Sequence, residues 1–209
     1  MTSAGIERVV THGTFELDGG SWEVDNNIWI VGDSSEVIVI DAAHDSKAIE
    51  DAVAGRHVVA VVCTHGHNDH ITVAPQLSAR LDAPILLNPA DTMLWEMTHA
   101  GMPFRALADG QVLKADGIEL HAIATPGHSP GSTCLYAPQL GALFSGDTLF
   151  NGGPGATGRS FSDFPTILGS IKDKLGHLPA DTAVYTGHGA STTIGGELVN
   201  YDEWVKRGH

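Results

Sequence analysis

Apolar and β-branched residues gather in "WEVDNNIWIVG" (22–32) and "EVIVIDA" (36–42), two stretches parted by the turn-forming "GDSS", and this pattern predicts two strands. "DSKAIEDAVAG" (45–55) reads as a helix with Asp45 as its N-cap and Gly55 as its stop. "HVVAVVCTH" (57–65) is a short apolar run between turn signals, which suits a strand covered on both faces. A helix over 70–82, a strand in "APILLN" (83–88), a helix over 90–99 and a loop around Gly101–Gly110 follow. The strand-rich pattern returns in "IELHAIATP" (118–126), "STCLYAP" (132–138) and "GALFSGD" (141–147). A helix over 163–177, a strand in "TAVYTGHG" (182–189) and a short helix over 196–206 close the chain. Strands therefore come in two batches, each followed by helices. Two mixed sheets packed face to face, with helices outside, satisfy that order.

No low-complexity linker or short repeat divides the 209 residues, so a single domain spanning 1–209 is expected, burying roughly 70% of the surface its unfolded chain exposes. With 42% hydrophobic and 17% charged residues, the composition excludes a disordered chain. The opening "MTSAGIERVV" lacks the apolar centre of a secretion signal, and no stretch approaches the ~20 apolar residues that span a bilayer. A soluble, cytoplasmic protein is the expectation. The two cysteines, Cys63 and Cys134, each lie in an apolar strand-like run and read as buried free thiols. Acidic residues outnumber basic ones 25 to 11, for a net charge of −14, and the longest basic run is Lys206–Arg207. Such a field repels nucleic-acid backbones and anionic membranes, so neither is an expected partner. Of the twelve histidines, His12, His44, His57, His99, His121, His177 and His209 stand singly and read as ordinary surface or core residues. The four tryptophans, 22, 29, 95 and 204, read as core or rim packing, with Trp95, Met93 and Met97 as an alternative apolar pocket for a substrate.

The remaining histidines concentrate in "THGHNDH" (64–70). In an extended loop, residues two apart point the same way, so His65, His67 and Asp69 converge, with His70 opening the next helix. Imidazole and carboxylate together suit zinc, iron or manganese. Four candidate ligands in six residues are too many for one tetrahedral ion with an open position, which points to two ions. Further candidates stand near the ends of later strands: His128 in "TPGHSPGS", Asp147 in "FSGDTLF" and His188 in "VYTGHG".

Taken together, H-G-H-N-D-H at 65–70, P-G-H-S-P-G-S around His128, S-G-D-T-L-F around Asp147 and G-H-G around His188 resemble the metallo-β-lactamase superfamily pattern. Within that superfamily the chain is most similar to glyoxalase II-like thioester hydrolases, from Asp41 through "GHGASTTIGGE". The resemblance implies an α+β fold, a four-layer αββα sandwich of two mixed β-sheets flanked by helices, with the metal centre along one edge. It implies that His65, His67 and His128 hold one divalent ion, that Asp69, His70 and His188 hold a second, and that Asp147 bridges them. Asp41 then orients a ligand histidine from behind. Zinc is the first expectation for both ions, with iron or manganese as alternatives. The implied activity is hydrolysis by a hydroxide held between the ions, most naturally of a low-molecular-weight thioester, whose thiolate leaves without a strong general acid. Asp69 and Asp147 are the implied catalytic carboxylates, Asp69 as ligand or as proton relay. An aspartate at 147 points to the hydrolase branch rather than to true β-lactamases. Only "GASTTIGGELVNYDEWVKRGH" follows His188, which leaves no room for the helical region that grips glutathione in larger glyoxalase II proteins. Arg159, after the glycine-rich 152–158 segment, reads first as a structural salt bridge and second as a candidate to bind a substrate carboxylate. A mono-iron persulfide dioxygenase and a lactonase are the rival enzymes. A non-catalytic metal-binding module is disfavoured because no ligand position is replaced.

Overall fold

The computed structural model describes residues 4–208, so the expectation for His209 lies outside the described residues. The first sheet runs in the order β1 (Gly5–Leu17), β2 (Gly20–Gly32), β3 (Glu36–Ile40), β4 (His57–Val62), β5 (Ile85–Leu87) and β6 (Arg105–Ala106). Its first three strands pair antiparallel and the rest parallel. In the second sheet β7 (Val112–Ala115), β8 (Ile118–Ala124), β9 (Thr133–Ala137) and β10 (Ala142–Gly146) pair antiparallel in sequence. A short ribbon, β11 (Leu149–Phe150) with β12 (Gly153–Pro154), precedes β13 (Ala183–Thr186), which joins β10 in parallel, and β14 (Thr192–Thr193) closes the edge. Both principal sheets are mixed, as expected.

The alternation along β3 shows how the layers form. Ile38 and Ile40 enter the cluster between the sheets with Phe144, Leu135 and Ile118, while Val37 and Val39 turn to the outer face. There α1 (Ser46–Val53), α3 (Ala74–Leu81) and α4 (Thr92–His99) supply Ile49, Leu77 and Trp95. On the far side Leu143 and Val184 pack against Ile167 of α5 (Phe164–Ser170) and Trp204 of α7 (Tyr201–Arg207). The result is the expected helix–sheet–sheet–helix stack. Cys63 and Cys134 are buried and free, as the sequence suggests.

Several boundaries differ from expectation for physical reasons. The helix expected over 70–82 is broken into α2 (Asn68–Ile71) and α3, because Pro75 has no N–H to give the Ile71 carbonyl. That carbonyl instead accepts a hydrogen bond from His99 Nε2 at 2.8 Å. The helix over 163–177 begins at its cap, Asp163, but finishes in a π-helical turn, Ile171–Leu175. The helix over 196–206 is two short pieces, α6 (Ile194–Leu198) and α7. Strand β1 was not expected at all. With β2, also thirteen residues long, it forms a hairpin across Asp18–Gly19, whose φ values of 53° and 77° fit the two-residue turn that an Asp-Gly pair favours. Trp95 belongs to the core, and Met93 and Met97 are exposed, so the alternative pocket does not form there.

Candidate metal centre

Asp41 follows β3 and His65 follows β4, while His128, Asp147 and His188 follow β8, β10 and β13. Strands β8 and β10 both run antiparallel to β9, so they point the same way, and β13 runs parallel to β10. The side chains therefore arrive on one edge from carboxyl ends of strands. His67 caps α2, and Asp69 and His70 lie within its single turn, so this part of the loop is helical where an extended path was expected. Gly187 is a glycine of necessity: a Cβ there would stand 2.3 Å from Asp147 Oδ1 and 2.7 Å from the His70 ring.

All seven expected ligand residues are brought together. Donor atoms of His65, His67 and His128 lie within 4.8 Å of one another, as do those of Asp69, His70 and His188, and those of His65, His70 and Asp147. Asp147 sits between the first two groups, with Oδ2 3.6 Å from His128 Nε2 and 3.4 Å from His188 Nε2, and Oδ1 3.4 Å from His70 Nε2.

Hydrogen bonds behind the rings fix their tautomers. His70 Nδ1 donates to Asp41 Oδ2 at 2.8 Å, His188 Nδ1 to the Asp25 carbonyl at 2.7 Å, and His128 Nδ1 to the Ala156 carbonyl at 2.8 Å. Thr64 Oγ1 gives its proton to Asp41 Oδ2 and so accepts from His65 Nδ1 at 3.1 Å. In the neutral rings all four Nε2 atoms then carry inward-facing lone pairs. Those of His70 and His188 are only 3.2 Å apart. Buried His65 Nε2, His67 Nε2 and Asp147 Oδ1 have no hydrogen-bond partner among the described residues. His128 Nε2 has the His67 Nδ1 atom at 3.0 Å and His70 Nε2 the Asn26 amide nitrogen at 3.3 Å, but the three unpartnered acceptors among these converging atoms fit bound cations.

Without cations, protons must serve. Burial pulls His188 down, but Asp147 and Asp69 outweigh it and push its pKa up to about 10. Burial likewise opposes the His70 proton, yet Asp147, Asp69 and Asp41 raise it well above the usual histidine range. Asp147 goes the other way: burial would raise it, and His188 and His70 hold it well below the carboxylate range. Burial drops His67 to about 3, with His128 adding to the effect.

Three residues of the site escaped the sequence reading. Asp91, fully buried, accepts from Gly66 N and Ser129 Oγ at 2.7 Å through Oδ2 and from Gly131 N at 2.5 Å through Oδ1. It thus ties the His65–His67 loop to the His128 loop. Asn26, also buried, places its amide nitrogen 3.1 Å from Asp69 Oδ2, and its oxygen meets His44 Nε2 at 2.9 Å. His44 is therefore no ordinary solitary histidine. Only Asp91 had any visible signal, as an acidic residue in the turn "NPAD" before a helix. Asp41 stands where expected, bonded to Thr64 N at 2.7 Å and to His70.

Beside the cluster opens a cleft of about 260 Å³. Phe15, Leu17, Trp22 and Val24 of the hairpin form its apolar wall. Arg159 lies against that wall, its guanidinium carbon 3.7 Å from the Trp22 ring centre and 5.4 Å from that of Phe15. Its ring contacts are stacking, and its charge, after the hydrogen bonds from Ser160, helps hold the Asp18 carboxyl below its ordinary range. Replacing Asp91 by Ala strands three buried donors and is expected to destabilise the fold by about 2–5 kcal/mol, read by urea denaturation of the metal-free chain. A loss below about 0.5 kcal/mol would refute its role as a tie between the loops.

Residues 22–188 match the model of the metallo-beta-lactamase superfamily. Hydroxyacylglutathione hydrolase GloC of Haemophilus influenzae is 31% identical over 186 residues, which cover 81% of this chain and 87% of that protein. Among solved structures, TTHA1623 in a di-iron-bound form superimposes with a TM-score of 0.75 at 30% identity, covering 84% of this chain and 93% of that one. BLEG-1, a B3 metallo-beta-lactamase, gives 0.76 at 26% identity, covering 93% and 99%. The sandwich, its histidine- and aspartate-lined edge and these matches agree, and the chain belongs to the metallo-beta-lactamase superfamily.

Proposed function

We propose that the chain is a binuclear metallohydrolase of low-molecular-weight thioesters, acting in the manner of glyoxalase II within one domain. The observation that carries this reading is the position of Asp147, whose two oxygens face histidines of both ligand groups. His65, His67 and His128 would hold one divalent ion and Asp69, His70 and His188 the other, with zinc the first choice and iron or manganese the alternatives. Bound there, the ions would supply a water acidified toward neutrality and a Lewis acid for the scissile carbonyl. The relationship to hydroxyacylglutathione hydrolase GloC and the di-iron form of TTHA1623 support this assignment.

The chain's own residues do the rest. Asp69 Oδ2, 3.2 Å from His188 Nε2 on the single turn of α2, stands where it can accept a proton from a nucleophile in the cleft. The wall of Phe15, Leu17, Trp22 and Val24 receives the apolar part of the substrate and excludes water from the reacting carbonyl. Arg159, its guanidinium carbon 3.7 Å from the Trp22 ring centre, lines the cleft and can offer N–H groups to a substrate carboxylate. A thiolate leaving group needs no strong acid, and among the described residues the cleft presents no further carboxyl group besides Asp69 and Asp147.

One observation favours a second reading. The Asn26 amide nitrogen points into the Asp69–His70–His188 group, which suits a protein holding a single ion, such as a mono-iron persulfide dioxygenase. Lactone hydrolysis would use the same two-ion site.

The test is metal analysis coupled to assay with S-lactoylglutathione and a neutral thioester. Two ions per chain and thioester turnover are expected, and Asp147→Ala is expected to abolish turnover with the far-UV circular dichroism unchanged. One tightly held iron with persulfide-dependent oxygen uptake would transfer the protein to the dioxygenase reading. Arg159→Gln is expected to raise KM about tenfold for the carboxylate-bearing substrate, with kcat and the neutral thioester little affected. Equal effects on both substrates would remove its proposed role. The pH dependence has a definite sign. His188 keeps its proton up to about pH 10 in the metal-free chain, so an entering ion must displace it. Zinc uptake at pH 7.5 should release protons to an indicator dye, and apparent affinity should rise as pH rises towards 10. Uptake without proton release would contradict the ligand assignment.

A further inference from the structure

The Asp69–His70–His188 group has a fourth corner. Asp69 Oδ2, His70 Nε2 and His188 Nε2 are separated by 3.5, 3.2 and 3.2 Å. The Asn26 amide nitrogen stands 3.1, 3.3 and 3.5 Å from them in the same order. All six edges of this tetrahedron are nearly equal. Donors about 2.0–2.2 Å from a common centre are spaced about 3.3–3.6 Å apart when tetrahedral, so Asn26 occupies a ligand's place without offering, at this end of its amide, a lone pair.

A carboxamide is close to symmetric in shape, and a half-turn about its Cβ–Cγ bond exchanges oxygen and nitrogen with little movement of either position. What decides the orientation is the partner at the other end. Here that partner is His44 Nε2, 2.9 Å from Asn26 Oδ1. A neutral imidazole serves both orientations: Nε2–H donates to Oδ1 in one tautomer, and Nε2 accepts from the amide N–H in the other. His44 is itself held in place, since it lies against Gly13, where a Cβ would come within 2.1 Å of its ring. The pair can therefore switch without rearranging the backbone.

We propose that Asn26 is a further ligand of the second metal ion, its amide turning over on metal binding so that Oδ1 faces the ion and Nδ2 donates to His44. The inference rests on the two-ion reading and deepens it. In the metal-free chain the N–H2 end bonds Asp69, and in the loaded chain the carbonyl end contributes a neutral oxygen donor that adds no charge to the site. The amide that favours a one-ion protein in one orientation becomes part of a two-ion centre in the other.

The test uses the full chain stripped of metal and titrated with zinc against a chromophoric chelator. Wild type is expected to take two zinc ions. Asn26→Ala is expected to weaken the second by tenfold or more, on the order of what loss of a supporting group costs a metal site, while leaving the first unchanged. Asn26→Asp keeps the shape with oxygen at both ends and is expected to hold the second ion at least as tightly as wild type. First-ion affinity and the near-ultraviolet circular dichroism of the metal-free variants report that the fold is intact. Wild-type or tighter second-ion binding in Asn26→Ala, or binding by Asn26→Asp as weak as that of Asn26→Ala, overturns the proposal while leaving two ions in place. A wild type that takes only one zinc overturns the two-ion reading, and this ligand with it.

Discussion

Two imidazole nitrogens face each other at 3.2 Å, and because each neutral ring spends its proton on a hydrogen bond at the far side, the pair repels itself unless a positive charge, a proton or a metal ion, is taken up there. That constraint governs the rest of the site. In a buried setting the repulsion is only weakly screened, and the same low polarisability strengthens the pull of Asp69 and Asp147 on any cation that enters. The rise of His188 to about 10 expresses this demand in protons. A metal ion meets the same demand with directed bonds to several donors at once. The tie from His70 Nδ1 to Asp41 therefore does more than orient a ring: it commits the opposite nitrogen to accepting.

The way the donors are distributed makes the site a property of the whole sandwich. Each three-residue group takes two members from the first half of the chain and one from the second: His65 and His67 with His128, and Asp69 and His70 with His188. Asp147 comes from the second half. Neither half supplies a complete three-residue group alone, so these groups form only when the sheets are packed. Backbone bonds tighten that joint beside it, with Asn27 N to the Gly187 carbonyl at 2.7 Å and Thr133 N to the Thr64 carbonyl at 2.8 Å. Asp91 adds a side-chain version of the same joint. Cations that bind across this seam would add their binding free energy to the stability of the sheet packing.

The sequence was most readable where chemistry and burial were both concentrated. The long apolar runs at 36–42 and 57–65 marked strands buried on both faces, and the seven ligand positions stood out through their clustering and their places after strands. Strand β1 was hidden because Glu7, Arg8, Thr11 and His12 break its apolar pattern, and most of it is exposed or half-exposed. The Asp18–Gly19 turn that announces it was present but has little force without a recognised strand on both sides. Asn26, His44 and Asp91 act through contacts with residues distant in sequence, which no local pattern encodes. The break at Pro75 was legible from proline chemistry, but the His99 bond that makes it tolerable was not.

Chemistry and recognition are drawn from different parts of the fold, and that separation has a consequence for selectivity. The clustered histidines and aspartates sit after strand ends and on a buried helical turn, whereas the cleft wall comes from the outer half of the β1–β2 hairpin and the segment carrying Arg159. These two segments are joined to each other by the Arg159–Trp22 stack and by a hydrogen bond from Ser160 N to Asp18 Oδ2 at 3.0 Å. The net charge of −14 repels anions at long range, but ionic screening limits that field to about 8–10 Å. Within that distance Arg159 is the only lysine or arginine among the described residues lining the cleft. A carboxylate-bearing substrate of the proposed kind would thus be selected at short range by one stacked guanidinium. That selection can change through the hairpin tip and the Arg159 segment while every donor at the strand ends stays in place.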